Sequence, residues 1–232
     1  MNTLRVLGIR FNLALKQKEV PLFRGAVNSI LPKGSVLFHQ HRDDSVGGFR
    51  YGYPLVQYKI CRRKATIICV GAGIDAFTQF ISSFDGRLSI GSQENTSVAI
   101  EEVGFEEVPI SELLQPDSSG DLYKLRNWLP LNRENYQTYL NCSSMIEQIE
   151  LLEGILVGNI LSLLKGVGIY FDEAIVVRIT QMDEPRIQQY KGVRLMSFSL
   201  CFRSNVKLPN DVGLGRHVSV GYGTVMRVNN HR

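Results

Sequence analysis

The chain has 232 residues, enough for one large domain or two small ones, and 44% of them are hydrophobic, which excludes disorder as the default. No apolar run of about 18 residues occurs, and Arg5 and Arg10 interrupt any signal-like segment, so we expect neither a membrane span nor a secretory signal. The four cysteines lack CxxC spacing, which favours reduced thiols in a cytoplasmic protein over a zinc or redox site.

The net charge of +4 conceals an uneven distribution along the chain. Residues 1–70 carry 12 Lys and Arg against 3 Asp and Glu, whereas residues 71–120 carry 1 against 9. This segregation favours a basic face for a polyanion and an acidic face elsewhere. The alternative is that the opposite charges interleave once the chain folds.

The first half of the chain alternates strand and helix patterns. Apolar periodicity predicts strands over 3–13, 53–60 and 65–70, helices over 21–31 and 74–84, and a hairpin over 97–108. A loop rich in charge and glycine is predicted over 42–48.

The stretch 115–121, QPDSSGD, has the composition of a linker. We therefore expect one domain over 1–115 and another over 121–232. Beyond the linker, residues 128–140 are predicted to be partly extended. Ser144 with Glu147 forms a capping box that opens a helix to Lys165, and strands follow over 173–180, 193–202 and 217–228.

Both halves begin strand–helix and continue with strands. This order predicts an α+β fold of two tandem ferredoxin-like (RRM-like) βαββαβ domains, although the second half lacks an obvious second helix. The fold alone does not give the function.

The segment 213–223, GLGRHVSVGYG, places two G-x-G motifs before the last strand. Glycines allow sharp bends and close approach of the backbone to a ligand, so N–H groups of such a loop can meet phosphates. Arg216 and His217 lie inside the loop, where a cation could meet the same phosphates. His217 could be a second catalytic residue or an RNA contact, and the alternative is a loop residue with no functional role; RNA contact is favoured over catalysis.

This double glycine motif resembles the signature of the RAMP superfamily of CRISPR proteins. The block from Phe38-His39-Gln40-His41 to the YGYPLVQYK stretch at 51–59 is similar to the paired-histidine branch of its repeat-processing endoribonucleases. The stretches 128–136 and 151–165 resemble the same branch, so the similarity spans nearly the whole chain.

The resemblance implies metal-independent cleavage of precursor crRNA by 2′-OH attack, leaving a 2′,3′-cyclic phosphate, with no cofactor. It implies CRISPR repeat RNA as the partner, no membrane, and leaves association with other effector subunits or a homodimer open. The family's catalytic histidine position matches His39 or His41, and we favour His41 as the principal base with His39 assisting. Tyr53, Tyr51 and Lys33 are the nearest matches to the family's further catalytic residues. The RNA-binding candidates are Arg42, Arg50, Gly213, Gly215, Arg216, His217, Gly221 and Gly223.

The chemistry of the residues agrees with this interpretation. In-line attack of a 2′-OH on the adjacent phosphate needs a base, an acid and stabilisation of the phosphoryl charge. Histidine can serve either proton role near neutrality, and residues 39 and 41 share a face if their segment is extended.

Two alternatives come from different classes of protein. A RAMP-type subunit could hold guide RNA without cutting it, although the paired histidines argue against this. The run Gly71-Ala72-Gly73-Ile74-Asp75-Ala76 matches the G-x-G-x-x-A dinucleotide fingerprint, with Glu94 as the ribose ligand. That motif belongs to a parallel βαβ unit, whereas the two strands before it are in hairpin order, which favours a tight strand-to-helix turn.

Overall fold

A computed structural model describes residues 3–31, 52–115 and 120–228. The chain forms two compact units. The first comprises residues 1–107 together with Ser219–Gly221, and the second comprises residues 108–218 and 222–232.

The first unit is a four-stranded antiparallel sheet covered by two helices. Its elements are β1 (Thr3–Ala14), α1 (Val20–Ser29), β2 (Val56–Cys61), β3 (Lys64–Val70), α2 (Gly73–Ser83), β4 (Arg87–Ile90), β5 (Gln93–Ser97) and β6 (Ile100–Pro109). The strand order is β2-β3-β1-β6, and β4 and β5 form a separate two-stranded ribbon. Counting only the sheet strands, the order is 2-3-1-4, which is the ferredoxin-like arrangement.

The core of this unit forms where alternating apolar side chains of β1 meet the helices. The Phe11 ring, which is fully buried, packs edge-on against Phe23 of α1 and Phe80 of α2, with ring centroids 5.7 and 6.2 Å apart. Such edge-to-face pairs add about 0.5–1.5 kcal/mol each beyond the area they bury. The β2–β3 turn places Arg62 and Arg63 at φ values of 50° and 66°. Two left-handed central residues match the twist of a tight hairpin.

The second unit repeats this order with one element replaced. It contains α3 (Ile110–Leu113), β7 (Asp121–Trp128), α4 (Arg133–Asn141), α5 (Met145–Gly166), β8 (Val177–Met182), β9 (Arg186–Tyr190), β10 (Val193–Ser204) and β11 (Thr224–Arg227). Its sheet runs β11-β7-β10-β8, and β9 pairs with β10 beyond it. Taking β7, β8, β10 and β11 as strands one to four, the order is again 4-1-3-2, so the expected tandem ferredoxin-like fold is confirmed.

The second helix of a ferredoxin-like unit would lie between the third and fourth strands. In the second unit this position is occupied by residues 205–223, which contain the glycine motif and a 3-10 turn at Val218–Val220 but no α-helix. The sequence shows no obvious second helix in this half, and the fold indeed has none between its third and fourth sheet strands.

Three local predictions are wrong. The predicted hairpin over 97–108 is a single strand, β6, and the actual hairpin is β4–β5 before it. Residues 133–140 of the stretch predicted as partly extended belong to helix α4, because Asn132 Oδ1 accepts the Asn135 N–H at 2.7 Å and caps this helix. Of the strand predicted over 217–228, only Thr224–Arg227 is extended.

The charge pattern proves to be partly interleaved. Glu101 and Glu102 of the acidic stretch lie on β6 and form ion pairs with Lys64, at 3.0 Å, and with Arg10. At these positions the alternative expectation is correct, because neighbouring strands bring opposite charges together.

Candidate functional site

The structure describes only part of the predicted catalytic group. Tyr53 is described, whereas Lys33, His39, His41, Arg42, Arg50 and Tyr51 lie outside the described residues. All six predicted residues of the glycine segment are described.

Tyr53 is positioned by the first residues of β2. Its hydroxyl oxygen accepts a hydrogen bond from Gln57 Nε2 at 2.8 Å, and the same nitrogen lies 3.0 Å from the Pro54 carbonyl oxygen. Gln57 is fully buried, so the amide that orients the tyrosine is itself held in place. Within the described part of the chain, Gln57 Oε1 accepts no hydrogen bond.

Strand β2 also buries a lysine that the sequence reasoning missed. Lys59 follows Gln57 by two residues, so both lie on one face of the strand, and its exposed fraction is 0%. Tyr58, between them, points to the other face, where its hydroxyl donates to Asn28 Oδ1 of α1 at 2.9 Å. Polar residues alternating with apolar ones predict a solvated face, yet Gln57 and Lys59 are buried. Lysine is almost never fully buried unless paired, so the burial of Lys59 is an unusual feature of this face of β2.

Two glycines of the glycine motif are required by packing within the second unit. Gly215 has φ +92°, and a Cβ there would lie 2.7 Å from Trp128 Nε1 and Cδ1. Gly223 has φ +63°, and its Cβ would lie 1.8 Å from the Leu214 carbonyl oxygen. Only glycine fits either position without displacement, because both the dihedral angle and the space exclude a side chain.

Three backbone amides of the glycine segment that could meet a phosphate already donate to carbonyl oxygens. Leu214 N donates to Gly223 O at 2.8 Å, Arg216 N to Leu129 O at 3.1 Å, and Gly223 N to Asn127 O at 3.0 Å. These amides cannot also bind a phosphate without opening the loop.

Arg216 and His217 are the two basic side chains of this segment. Arg216 is exposed, and its Nη1 donates to the Leu131 carbonyl oxygen at 2.8 Å, which holds the guanidinium beside the start of α4. The His217 ring is half-buried against Tyr190, with centroids 4.5 Å apart, and lies 6.2 Å from Tyr222. Burial lowers the pKa of His217, and the positive charges of Arg216 and Lys191 lower it further, so the neutral imidazole is favoured.

Gly221 lies with the segment Ser219–Gly221 in the first unit. Gln17 Nε2 donates to the Val220 carbonyl oxygen at 3.0 Å, and Arg24 Nη1 lies 3.3 Å from Ser219 Oγ. Gly221 has φ +90°, and a Cβ there would lie 3.2 Å from Gln17 Nε2. Gly221 therefore also serves the local backbone conformation.

Family models match both halves of the chain. The Cas6b N-terminal domain matches residues 2–107, and the Cas6b C-terminal domain matches residues 117–228. The chain belongs to the Cas6b family.

Solved structures and a curated relative agree with this assignment. A crystal structure of Cas6b is 28% identical, with a TM-score of 0.81 over 97% of this chain and 100% of that one. A structure described as the CRISPR RNA processing endoribonuclease Cas6b is 25% identical, with a TM-score of 0.70 over the same shares. An uncharacterized protein of Methanocaldococcus jannaschii is 38% identical over 101 residues, which are 44% of this chain and 67% of that protein.

A more distant structure supports the fold alone. A type IV CRISPR-Cas crRNA endonuclease is 12% identical, with a TM-score of 0.54 over 98% of this chain and 100% of that one. Membership of Cas6b therefore rests on the family models and the nearer structures.

The dinucleotide motif has a structural explanation instead. Strand β3, which precedes Gly71, pairs antiparallel with both β1 and β2, so no parallel βαβ unit is present there. A Cβ on Gly73 would lie 2.3 Å from the Leu55 carbonyl oxygen. This glycine permits close packing of the α2 start on the chain before β2, as a tight strand-to-helix turn requires.

The described residues contain neither a membrane-spanning helix nor a metal-binding cluster. No helix there is long and apolar enough to span a membrane, and no group of three or more His, Cys, Asp or Glu side chains there is arranged to hold a metal ion.

Proposed function

We propose that this Cas6b protein binds the repeat RNA of CRISPR transcripts and cleaves it as a crRNA-maturation endoribonuclease. The observation that carries the proposal is that Cas6b models match residues 2–107 and 117–228, so that the paired histidines lie within a matched domain. The relative that is 25% identical and described as a CRISPR RNA processing endoribonuclease supports the same activity.

We assign the chemistry to 2′-OH attack without a metal ion. His41 is the principal base that removes the 2′-hydroxyl proton, and O2′ then bonds to the adjacent phosphorus. The bond from phosphorus to the 5′-oxygen breaks, and His39 assists by protonating the leaving oxygen, which gives a 2′,3′-cyclic phosphate and a 5′-hydroxyl. Each positioned acid or base contributes about 10²–10⁴-fold.

The residues around the histidines are assigned to charge and orientation. Tyr53, with its oxygen held by Gln57 at 2.8 Å, is pre-positioned near the start of β2, and Tyr51 is its companion in sequence. Lys33 stabilises the phosphoryl charge, and Arg42 and Arg50 bind neighbouring phosphates.

The glycine segment contributes RNA affinity in this proposal. Arg216 supplies a phosphate contact, and His217 with Tyr190 supplies a partly exposed aromatic surface for a base. Gly213, Gly215, Gly221 and Gly223 set the backbone path that presents these two side chains.

Single-turnover cleavage of repeat RNA in EDTA tests the proposal. His41→Ala should slow cleavage by about 10²-fold or more, His39→Ala by less, and the double variant most, with little change in affinity. His231→Ala is the matched control and should cleave normally. A 2′-deoxy nucleotide at the cut site should block cleavage while binding persists. Cleavage of that substrate, or a double variant with the wild-type rate, would refute the mechanism.

A further inference from the structure

A cleft of about 580 Å³ lies in the second unit between the start of α4, the β9–β10 hairpin and Arg216. This volume is within the range of small-molecule sites. None of the predicted site residues except Arg216 lines it.

The hairpin supplies an apolar floor to the cleft. The register pairs Met196 with Ile187, so these side chains lie on one face of the hairpin, and Arg194 lies two residues from Met196 on that face. Ile187 and Val193 are 52% and 57% exposed, although both are large apolar residues. Tyr136 of α4 adds an exposed aromatic ring from the opposite wall.

The charged groups of the cleft are all cationic, and Asn132 and Gln137 add neutral polar side chains. Arg133, Arg194 and Arg216 line it, and no carboxylate is present among its described lining residues. In the described part of the chain none of these arginines forms an ion pair with a carboxylate. Arg216 uses one N–H for the Leu131 carbonyl oxygen, which leaves four further guanidinium donors.

We propose that this cleft holds one unpaired nucleotide of the bound RNA, with the base stacked on Tyr136 against the hairpin floor and its phosphates contacted by the arginines. The inference rests on the proposed function for the identity of the RNA. An exposed aromatic ring beside apolar side chains and unpaired guanidinium groups matches the way proteins hold single-stranded nucleotides, by stacking and by phosphate contact. The cleft is lined by Ile187, Leu195 and Met196 as well as by the arginines, which favours an unstacked base over the phosphate backbone of a duplex.

Fluorescence anisotropy with an RNA octamer of adenosines is the first test. Tyr136→Ala should weaken binding at least about fivefold, because stacking of one base is worth roughly that or more. Arg194→Ala should weaken binding because it removes a phosphate contact. Arg194→Ala should also reduce the slope of log affinity against log salt by about 0.7, the value for one single-strand phosphate contact. Lys165→Ala removes a charge at the end of α5, outside the cleft, and should leave Tyr136-dependent binding unchanged.

An abasic scan of the repeat RNA tests the one-nucleotide claim. One position should exist where removing the base weakens binding to the wild type but not to Tyr136→Ala. Tyr136→Leu keeps an apolar side chain without the ring and should behave like Tyr136→Ala, and melting curves establish that each variant is folded.

The outcomes separate the two proposals. If folded Tyr136 and Arg194 variants bind the octamer and the repeat as the wild type does, the cleft proposal is overturned, while normal cleavage leaves the proposed function intact. If repeat RNA is not cleaved but the abasic coupling appears, the cleft is an RNA site and the proposed function fails. Tight, Tyr136-dependent binding of free AMP that excludes the octamer would identify a mononucleotide site and overturn the inference.

Discussion

Gly215→Ala is expected to destabilise the second unit by two separable effects. At φ +92° any other residue adopts left-handed backbone geometry, which costs about 1–2 kcal/mol. The added Cβ would also lie 2.7 Å from the Trp128 ring, about 1 Å closer than an ordinary carbon contact. Trp128 cannot withdraw freely, because it is fully buried and its Nε1 donates to Asn159 Oδ1 at 2.9 Å.

The two effects together should lower the free energy of unfolding by about 2–5 kcal/mol, because overpacking a filled site typically costs about 1–3 kcal/mol beyond the backbone cost. The free energy of unfolding of a native domain is only about 5–15 kcal/mol, so Tm should fall on the order of 10 °C. Thermal and urea unfolding followed by circular dichroism measures this, and RNA affinity is recorded in parallel on the folded fraction.

Two other glycines in the same unit separate the effects. Gly168 has φ +76°, and nothing lies within 4 Å of a Cβ built there. Gly168→Ala should therefore lower the free energy of unfolding only by the backbone cost of about 1–2 kcal/mol. Gly158 is exposed in α5 and also has nothing within 4 Å of a Cβ. Gly158→Ala should therefore raise the free energy of unfolding by about 0.5–1 kcal/mol, because alanine favours the helix over glycine. If Gly215→Ala melts like Gly168→Ala, the packing argument is wrong. If it retains full stability yet loses RNA affinity, the glycine serves ligand approach instead.

Three further outcomes are expected. Arg216→Ala should weaken RNA binding and flatten its salt dependence while saturated enzyme cleaves at a near-normal rate; an unchanged salt slope in filter binding would exclude a phosphate contact. Tyr123→Phe should cost about 1–3 kcal/mol in urea unfolding, because the hydroxyl accepts the buried Leu208 N–H at 2.9 Å, and a stability equal to the wild type would contradict this. The pKa of His217 is lower in the folded than in the unfolded chain, so the unfolded chain takes up the proton first as pH falls. The contribution of His217 to stability is therefore present above about pH 6.5 and is lost as pH falls below that value. His217→Asn, which tolerates the φ of 57°, should reduce the stability difference between pH 8 and pH 5, and an unchanged difference would show that His217 does not titrate this way.

Much of the first unit can be predicted from the sequence because its elements are strongly periodic. The apolar alternation in β1, the continuous apolar run in β3 and the apolar stripe of α2 leave little choice of secondary structure, and in β1 and α2 they also leave little choice of buried face. The environment of β2 could not be predicted, because Gln57 and Lys59 alternate with apolar residues as a solvated face would. Their burial depends on tertiary packing, which the alternation of polar and apolar residues along the strand does not reveal.

The second unit was harder to predict where local signals are weak. Helix α4 contains few apolar residues, so its start depends on the Asn132 cap rather than on periodicity. Strand β9, with the sequence RIQQY, was not predicted because only pairing with β10 holds it extended. The glycine motif was correctly located, but the sequence could not show that three of its amides bond to backbone carbonyls within the unit.

The replaced helix of the second unit explains why that motif contains so many glycines. In the first unit, α2 connects the third and fourth sheet strands and buries one apolar face. In the second unit the same connection, 205–223, buries Val206, Leu208, Val212 and Leu214, each 0% exposed, without an α-helix. An irregular chain can do this only if its amides find carbonyls elsewhere, as those of Leu214, Arg216 and Gly223 do. The positive φ at Gly215 and Gly223 supplies the required bends, and the chain between them leaves Arg216 exposed at the edge of the cleft. A regular helix could bury the same apolar residues but would align its amides along its own axis. The irregular connection instead fills the core and still presents a cation beside Tyr136 and the β9–β10 hairpin.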